Sequence, residues 1–419
     1  MIMQKIMIKN KPTFFHNEDF QTILVRLLFP FNRSEEKLAL MQILPNLLDT
    51  VSEKYPTERE FTLEKQKLYI LASMCSSTTV GDAGYISFEM AIPDTYSLNQ
   101  DLLEEQFQFL SQMVYRPKLD GKKFYANEVE REVKLLQMEV QKLLDDPDGY
   151  AFLRGKEIVD PDGRFSSCIY NHTEQIDEVN GESLYQFYED VITKNHPLIY
   201  VFGNVDEKRI TNLCRQYLYL EDFEPYEIDV DLKHYLPITR FKNVEEESKF
   251  QNSVYLAFYK VKDMCEEDET LLTTVQGLLS SQSTRILYKR LRDENDLVYA
   301  SYAMCFEVFG ILCIAAFIHK DTIDLVKEKA KEALADLKDE NLIHEHLENI
   351  KERARIGLIK KLDDKVVLFR DGMIQDMGVD LTSEEQYERI KQYTPSDISH
   401  FMDRLVLDTE YFLKEGEHE

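Results

Sequence analysis

Residues 297–319 read Leu-Val-Tyr-Ala-Ser-Tyr-Ala-Met-Cys-Phe-Glu-Val-Phe-Gly-Ile-Leu-Cys-Ile-Ala-Ala-Phe-Ile-His, two apolar runs rich in aromatic and branched residues around one glycine. Such runs predict adjacent strands, Val298 to Cys305 and Ile311 to His319. The apolar run Val308 to Ile318 is about half the length a membrane span requires, so it reads as a buried strand. Before the pair stand a strand at Ser253 to Tyr259 and a helix carrying Leu271, Leu272, Val275, Leu278 and Leu279. After it come helices through Ile323, Val326, Ala330 and Leu334, then Leu347, Ile350 and Leu358.

The same order stands near 230 residues earlier in the chain. A strand at Thr22 to Leu28 leads to a helix with Leu38, Met41, Leu44, Leu47, Leu48 and Val51 on one face. Strands near Leu68 to Met74 and Tyr85 to Ala91 follow, then helices through Leu103 to Val114 and Phe124 to Leu144. Leu68-Tyr69 precedes Cys75 as Val298-Tyr299 precedes Cys305, with the Tyr-to-Cys spacing equal at six residues. Each half closes alike. A helix with Leu184, Phe187 and Val191 enters the strand Leu198 to Phe202; a helix with Ile398, Met402 and Leu405 enters Glu410 to Leu413. The chain is therefore expected to be two copies of one α/β unit, residues 1–218 and 242–419, with a cleft between them. Residues 219–241, acidic and aromatic, read as an irregular linker.

Composition agrees. A chain of 419 residues with 43% hydrophobic content supports two domains with real cores. The net charge of −27 disfavours nucleic acid and anionic lipid, which need gathered Lys and Arg, so neither nucleic acid nor membrane is an expected partner. The N-terminal segment Met1 to Asn10 lacks the apolar core of a signal peptide. The six cysteines hold no C-x-x-C pair and read as free thiols in a reducing compartment, hence a cytoplasmic protein.

Chemistry is sparse. None of the nine histidines forms the three- or four-residue helical pair a zinc peptidase needs. His344 and His346 stand two apart, so on a helix they point in different directions. No nucleophile elbow or phosphate-binding loop occurs, and Gly372 and Gly378 read as turn glycines. One pattern remains: Arg292 and Tyr299, seven apart across a short turn. A guanidinium and a phenol so placed suit a peptide carbonyl or a developing oxyanion. The structural alternative is an arginine paired with Asp293 or Glu294 beside a packed strand tyrosine.

The duplicated unit, the segment Leu287-Tyr288-Lys289-Arg290-Leu291-Arg292 and the Arg292/Tyr299 spacing resemble the insulinase-type, inverted-zincin peptidases, which include mitochondrial processing peptidase. The resemblance implies an α+β fold of two homologous units, each a mixed, mostly antiparallel sheet packed by helices. In that family the first helix carries H-x-x-E-H and a later helix supplies a glutamate as the third zinc ligand. Here the first helix reads Leu40-Met41-Gln42-Ile43-Leu44-Pro45-Asn46-Leu47-Leu48-Asp49-Thr50-Val51, with no histidine or glutamate and a proline expected to disturb it. Glu139 falls near the third-ligand position, and one carboxylate holds no catalytic zinc. The glycine-rich segment of the second unit keeps one glycine, Gly277. Arg292 and Tyr299 match the family's substrate-binding pair, so the resemblance assigns them substrate binding, with no catalytic residue and no metal ligand.

The overall texture is similar to the short, non-catalytic bacterial members of the YmfF type. The resemblance implies the non-catalytic subunit of a heterodimeric peptidase. Zinc then sits only in a homologous partner, and a peptide substrate is bound in a shared chamber. The alternative is a non-enzymatic peptide-binding or scaffold protein associated with peptide maturation or elongation factor P modification.

Overall fold

The computed structural model describes residues 2–94, 100–161, 163–220, 223–281, 284–363, 373 and 381–416; Gly372 and Gly378 lie outside them. The chain opens with β1 (Ile2–Ile8), β2 (Thr13–His16) and β3 (Thr22–Asn32), then α1 (Leu38–Leu48) and α2 (Glu58–Lys67). β4 (Ala72–Val80), β5 (Ala83–Pro93), α3 (Leu103–Tyr115), α4 (Ala126–Leu144) and α5 (Pro147–Val159) follow. α6 (Glu174–Glu178), α7 (Gly181–Tyr188), β6 (Leu198–Gly203) and α8 (Glu207–Tyr217) complete the first half. The second half runs β7 (Tyr226–Lys233), β8 (Lys242–Glu247), β9 (Ser253–Val261), α9 (Glu266–Ser280), α10 (Ile286–Tyr288), β10 (Val298–Phe306) and β11 (Ile311–Ile318). It ends with α11 (Ile323–Asp336), α12 (Glu340–Asp363), α13 (Ser383–Gln392), α14 (Pro395–Arg404) and β12 (Leu405–Lys414).

The duplication holds strand by strand. Sheet one has the order β2-β6-β3-β5-β4 and sheet two β8-β12-β9-β11-β10. In each, the first two strands are parallel and the other neighbours antiparallel. Helices cover one face of each sheet. Leu44, Phe107, Leu110, Leu184 and Ile210 pack on Val25, Leu27, Ile86 and Phe88. Leu272, Val275, Val326 and Ile398 pack on Tyr255, Ala257, Leu312 and Ile314. β6, β9 and β11 are buried along their whole length, because their opposite faces are covered as well. A strand buried on both faces reads as an unbroken apolar run.

The opposite faces are covered by elements from elsewhere in the chain. β1 and β7 form a two-stranded antiparallel ribbon whose Ile6, Ile8 and Leu232 lie on Leu28, Tyr85, Tyr200 and Phe202 of sheet one. α5 belongs to the first half by sequence, yet with Phe165 it lies on sheet two, where Ala151 and Val159 meet Val254, Leu256, Phe258 and Leu413. Gly155 permits this approach: a Cβ there would stand 2.8 Å from a Phe258 ring carbon and 3.0 Å from Leu256 Cδ1.

Three boundaries differ from the sequence-based expectation. α2 has a single buried residue, Phe61, so apolar periodicity gives it no signature; its start is fixed by a Thr57/Glu60 capping box. α2 ends at Lys67, residues 68–71 form the turn that leaves it, and β4 starts at Ala72 rather than Leu68. Between them Tyr69 takes a left-handed φ of 50°, where glycine is the usual residue after a helix C-cap. Tyr219 does the same after α8, with φ 52°. Each costs about 1–2 kcal/mol of backbone energy. Second, Pro45 leaves α1 intact, since it is buried and the helix runs on to Leu48, with the Asp49 amide bonded to the Pro45 carbonyl at 3.0 Å. Tertiary packing outweighs the one lost amide donor.

Third, residues 219–241 are not irregular throughout. β7 pairs with β1, and the chain beyond it is fastened to the second unit. The His234 and Leu236 amides bond to the Val308 and Phe309 carbonyls at 2.7 and 3.0 Å. The Lys233 ammonium, 6% exposed, meets Glu269 at 3.0 Å, and the Tyr235 hydroxyl donates to the same carboxylate at 2.6 Å. Lys260 and Asp408, 1% and 0% exposed, form an ion pair at 3.2 Å. Lys260 also donates to the Pro237 carbonyl at 3.0 Å, while the Thr239 amide and hydroxyl both donate to Asp408 at 2.9 Å. The segment is a strap rather than a loose tether. Among the described residues no helix is long and apolar enough to cross a membrane.

Burial alone would raise the Asp408 carboxyl, but the Thr239 amide, the Thr409 and Thr239 hydroxyls and the Lys260 charge together hold it below the ordinary carboxylate range. Its contribution to stability is therefore present above about pH 4 and lost as pH falls through the depressed folded-state value. Asp408→Ala leaves Lys260 buried and unpaired and should cost roughly 3–5 kcal/mol in urea unfolding at pH 7. An unchanged urea midpoint would show that the pair does not hold the strap.

Candidate functional site

α1 stands where a metal-binding helix would be expected, and its residues are of another kind. Leu38, Ala39, Met41, Ile43, Leu44, Pro45, Leu47 and Leu48 are all buried, so the helix spends its surface on core packing. Glu139 on α4 is exposed. His344 is exposed on α12 and His346 is partly buried. Among the described residues no three His, Cys, Asp or Glu side chains gather to hold a metal ion. The residues present do not fit a catalytic zinc.

The second unit keeps a polar pair at its open edge. α10 continues as one π-helical turn, Lys289–Asp293, and Asp296 then takes a left-handed φ of 52° that reverses the chain. The Leu297 amide returns to the Leu291 carbonyl at 2.8 Å. This reversal brings Arg292 beside the start of β10, where its guanidinium donates to the Val298 carbonyl at 2.8 Å and pairs with Asp296 at 2.8 Å. The partner is thus Asp296, not Asp293 or Glu294. Tyr299 follows Val298 at a bulge: Val298 pairs with Ile318 and Ala300 with Phe317, leaving Tyr299 outside the register. Its side chain is 53% exposed, so it is not a packed strand tyrosine. Its hydroxyl meets His319 Nε2, and the two rings stand edge to face with centroids 5.0 Å apart. His319 and Asp296 were not singled out by sequence; the pairing of β10 with β11, which sets His319 beside Tyr299, is the signal that finds the first.

The sheet edges are unlike one another. β2 is four residues long, and β8 carries Lys242, Glu245, Glu246 and Glu247; both protect an edge against further strand pairing. β4 and β10 are nine residues each and contain no charged side chain and no proline. β4 pairs with β5 in unbroken register, and Tyr69, Leu71 and Met74 are exposed at its start. Part of each edge is already engaged, the Cys75 amide by Asp49 and the Ala303 amide and carbonyl by the Ser280 hydroxyl and the Gln276 amide, so an added strand can pair only with the backbone groups on either side.

A cleft of about 690 Å³ lies where the halves meet, with Glu35 on one side, Lys242 on the other, and Arg154, Glu157, Asn171 and His172 between. Arg292 and Tyr299 do not line it. Arg154 pairs with Glu157 and with Glu246, the latter at 2.8 Å, and Lys242 donates to the Ile158 carbonyl at 2.5 Å. His172 stands 3.9 Å from Glu35 and 3.7 Å from Glu174, with no hydroxyl or thiol nucleophile bonded to it among the described residues.

Comparison with known proteins places these observations. Residues 178–354 match the family model described as the Peptidase M16 inactive domain. The chain is 22% identical over 408 residues to the "Probable inactive metalloprotease YmfF" of Bacillus subtilis, covering 95% of this chain and 94% of that one. It is 25% identical over 243 residues to the "Uncharacterized zinc protease YmxG" of the same organism, 57% of this chain and 58% of that one. The crystal structure of a conserved protein from Enterococcus faecalis V583 superimposes with a TM-score of 0.84 at 19% identity, over 100% of this chain and 99% of that one.

Asp49, just beyond α1, carries a prediction of its own. Burial pushes its carboxyl up to about 6, against the Lys65 charge and the Cys75 amide, and its Oδ1 has no hydrogen-bond partner. A carboxyl raised on folding adds stability below its unfolded pKa, and that stability is lost as pH rises through about 6. Asp49→Asn should therefore stabilise the protein at pH 7.5 by about 1–2 kcal/mol, a gain that shrinks toward zero near pH 4. Urea unfolding across that range is the check; a gain independent of pH would refute the assignment.

Proposed function

Because this chain is a catalytically inactive homologue of the insulinase-type, M16 peptidases, we propose that it is the non-catalytic subunit of a heterodimeric peptidase. It contributes half of a chamber whose zinc and general base come from a homologous partner. The observation that carries this reading is the half-exposed Arg292/Tyr299 pair on the uncharged edge of sheet two, in a chain whose first helix has no metal ligands. A peptide added as a strand along β10 places its carbonyls beside a guanidinium and a phenol, so backbone bonds give affinity and the two side chains fix position. Bacillus subtilis holds one relative named an inactive metalloprotease and one named a zinc protease, which is the division of labour proposed. In this reading the units are 1–218 and 242–419, the chain binds no zinc, and it works in the cytoplasm on a peptide substrate.

The test is peptide turnover by this chain, by a zinc-bearing homologue encoded beside it, and by the mixture, with zinc counted in each. Turnover and one zinc per pair are expected only in the mixture. Arg292→Ala combined with Tyr299→Phe should lower kcat/KM of the mixture by at least about tenfold while the pair still co-elutes. Unchanged turnover removes the pair from substrate binding. If the two proteins neither associate nor cleave, a scaffold or peptide-binding role without catalysis takes the place of this one.

A further inference from the structure

A second cavity, of about 360 Å³, opens where the C-terminal ends of α3, the π-helical continuation of α7 and α8 come together. It shares no residue with the junction cleft and lies on elements other than those bearing Arg292 and Tyr299. Tyr115, His196, Pro197, Leu218 and Tyr219 line it, together with the polar side chains of Thr193, Asn195 and Arg116. We propose that this cavity binds a small planar monoanion of the aromatic carboxylate class. Arg116 takes the carboxylate, and Tyr115, Tyr219 and His196 flank the ring.

Four observations converge on that class. The volume suits a small ligand, and the walls are largely aromatic or apolar. Among the described residues Arg116 is the one formally charged residue lining the cavity, and no carboxylate lies within ion-pair distance of it. The helix ends here would ordinarily present negative partial charge to an anion. Two of those carbonyls are already capped, Leu218 by the Tyr115 hydroxyl and Val114 by the Tyr188 hydroxyl, each at 3.0 Å. Finally, Tyr219 holds its ring at the cavity in a left-handed conformation, edge to face with Tyr115 at 5.0 Å between centroids. Glycine would occupy that backbone position without strain, so the site keeps a tyrosine against its local backbone preference. His196 is fixed in turn by stacking on Phe223, with centroids 4.0 Å apart.

Isothermal titration of the full chain with benzoate tests this, with benzamidine and benzyl alcohol as cationic and neutral rings of the same size. Benzoate is expected to saturate one site with a dissociation constant on the order of 1 mM or tighter, and benzamidine to show no saturable binding. Arg116→Gln, at an exposed side chain, should weaken benzoate at least about tenfold without altering the fold. Tyr219→Gly should abolish binding, while Tyr69→Gly, the same change after a different helix, should leave it intact. Absence of saturable benzoate binding, equal binding of benzamidine, or wild-type affinity in Arg116→Gln would each overturn the proposal.

Discussion

Every element of this molecule answers to one constraint, that a sheet covered by helices on one face still has a second face to remove from water. Two tandem units of five strands each create two such faces, and each is closed with material from beyond its own sheet and helix layer. The β1–β7 ribbon closes sheet one, with β1 from the start of the chain and β7 from the segment that joins the two units. α5 closes sheet two, although in sequence it belongs with sheet one. Both covers are apolar and interdigitated, at Gly155 to the point that no methyl group would fit. The strap of residues 233–239 then fixes the exchange with charges that have no solvent to return to, Lys233 on Glu269 and Lys260 on Asp408. Breaking either pair strands an ion in the interior, so each anchors the strap on the second unit.

Much of this fold was open to reading from residues alone, because the interior strands leave a strong signal. Ile311–Ile318 and Leu198–Gly203 are apolar without interruption, Ser253–Val261 is so apart from Ser253 and Lys260, and all three are buried along their length. The duplication was legible for the same reason: strands and amphipathic helices repeat their order even where side chains have changed. What escaped lies at the surface or depends on distant contacts. α2 buries one phenylalanine and gives no period, so the start of β4 was misplaced. β7 looked irregular because its partner, β1, lies more than two hundred residues away in sequence. Pro45 appeared as a defect, yet a helix whose neighbours are Leu44, Leu47 and Leu48 keeps its shape through packing.

The site was legible in part, and its legible part was an absence. A helix reading Leu-Met-Gln-Ile-Leu-Pro cannot be mistaken for one that binds zinc, and the structure shows its side chains serving the core. Arg292 and Tyr299 could be picked out by spacing, but their surroundings could not. A π-helical turn and a left-handed aspartate bring the arginine back to the strand, and a bulge turns the tyrosine outward. Neither device has a composition cue, since Asp296 replaces the glycine that would mark such a reversal. His319 becomes visible only when the register of β10 on β11 is known.

The uncharged edges of β4 and β10 set the terms on which this molecule can remain dispersed. Strand-to-strand adhesion acts only at contact, whereas the repulsion between two bodies of charge −27 acts at the approach, over a screening distance of about 8 Å at physiological salt. The acidic surface therefore works as a colloidal barrier: two copies are pushed apart before their backbones can align. A visitor that is neutral or basic, such as an extended peptide, meets no such barrier. The same surface thus treats the two approaches differently, opposing a second copy of the chain by Coulombic repulsion and leaving a neutral or basic strand unopposed.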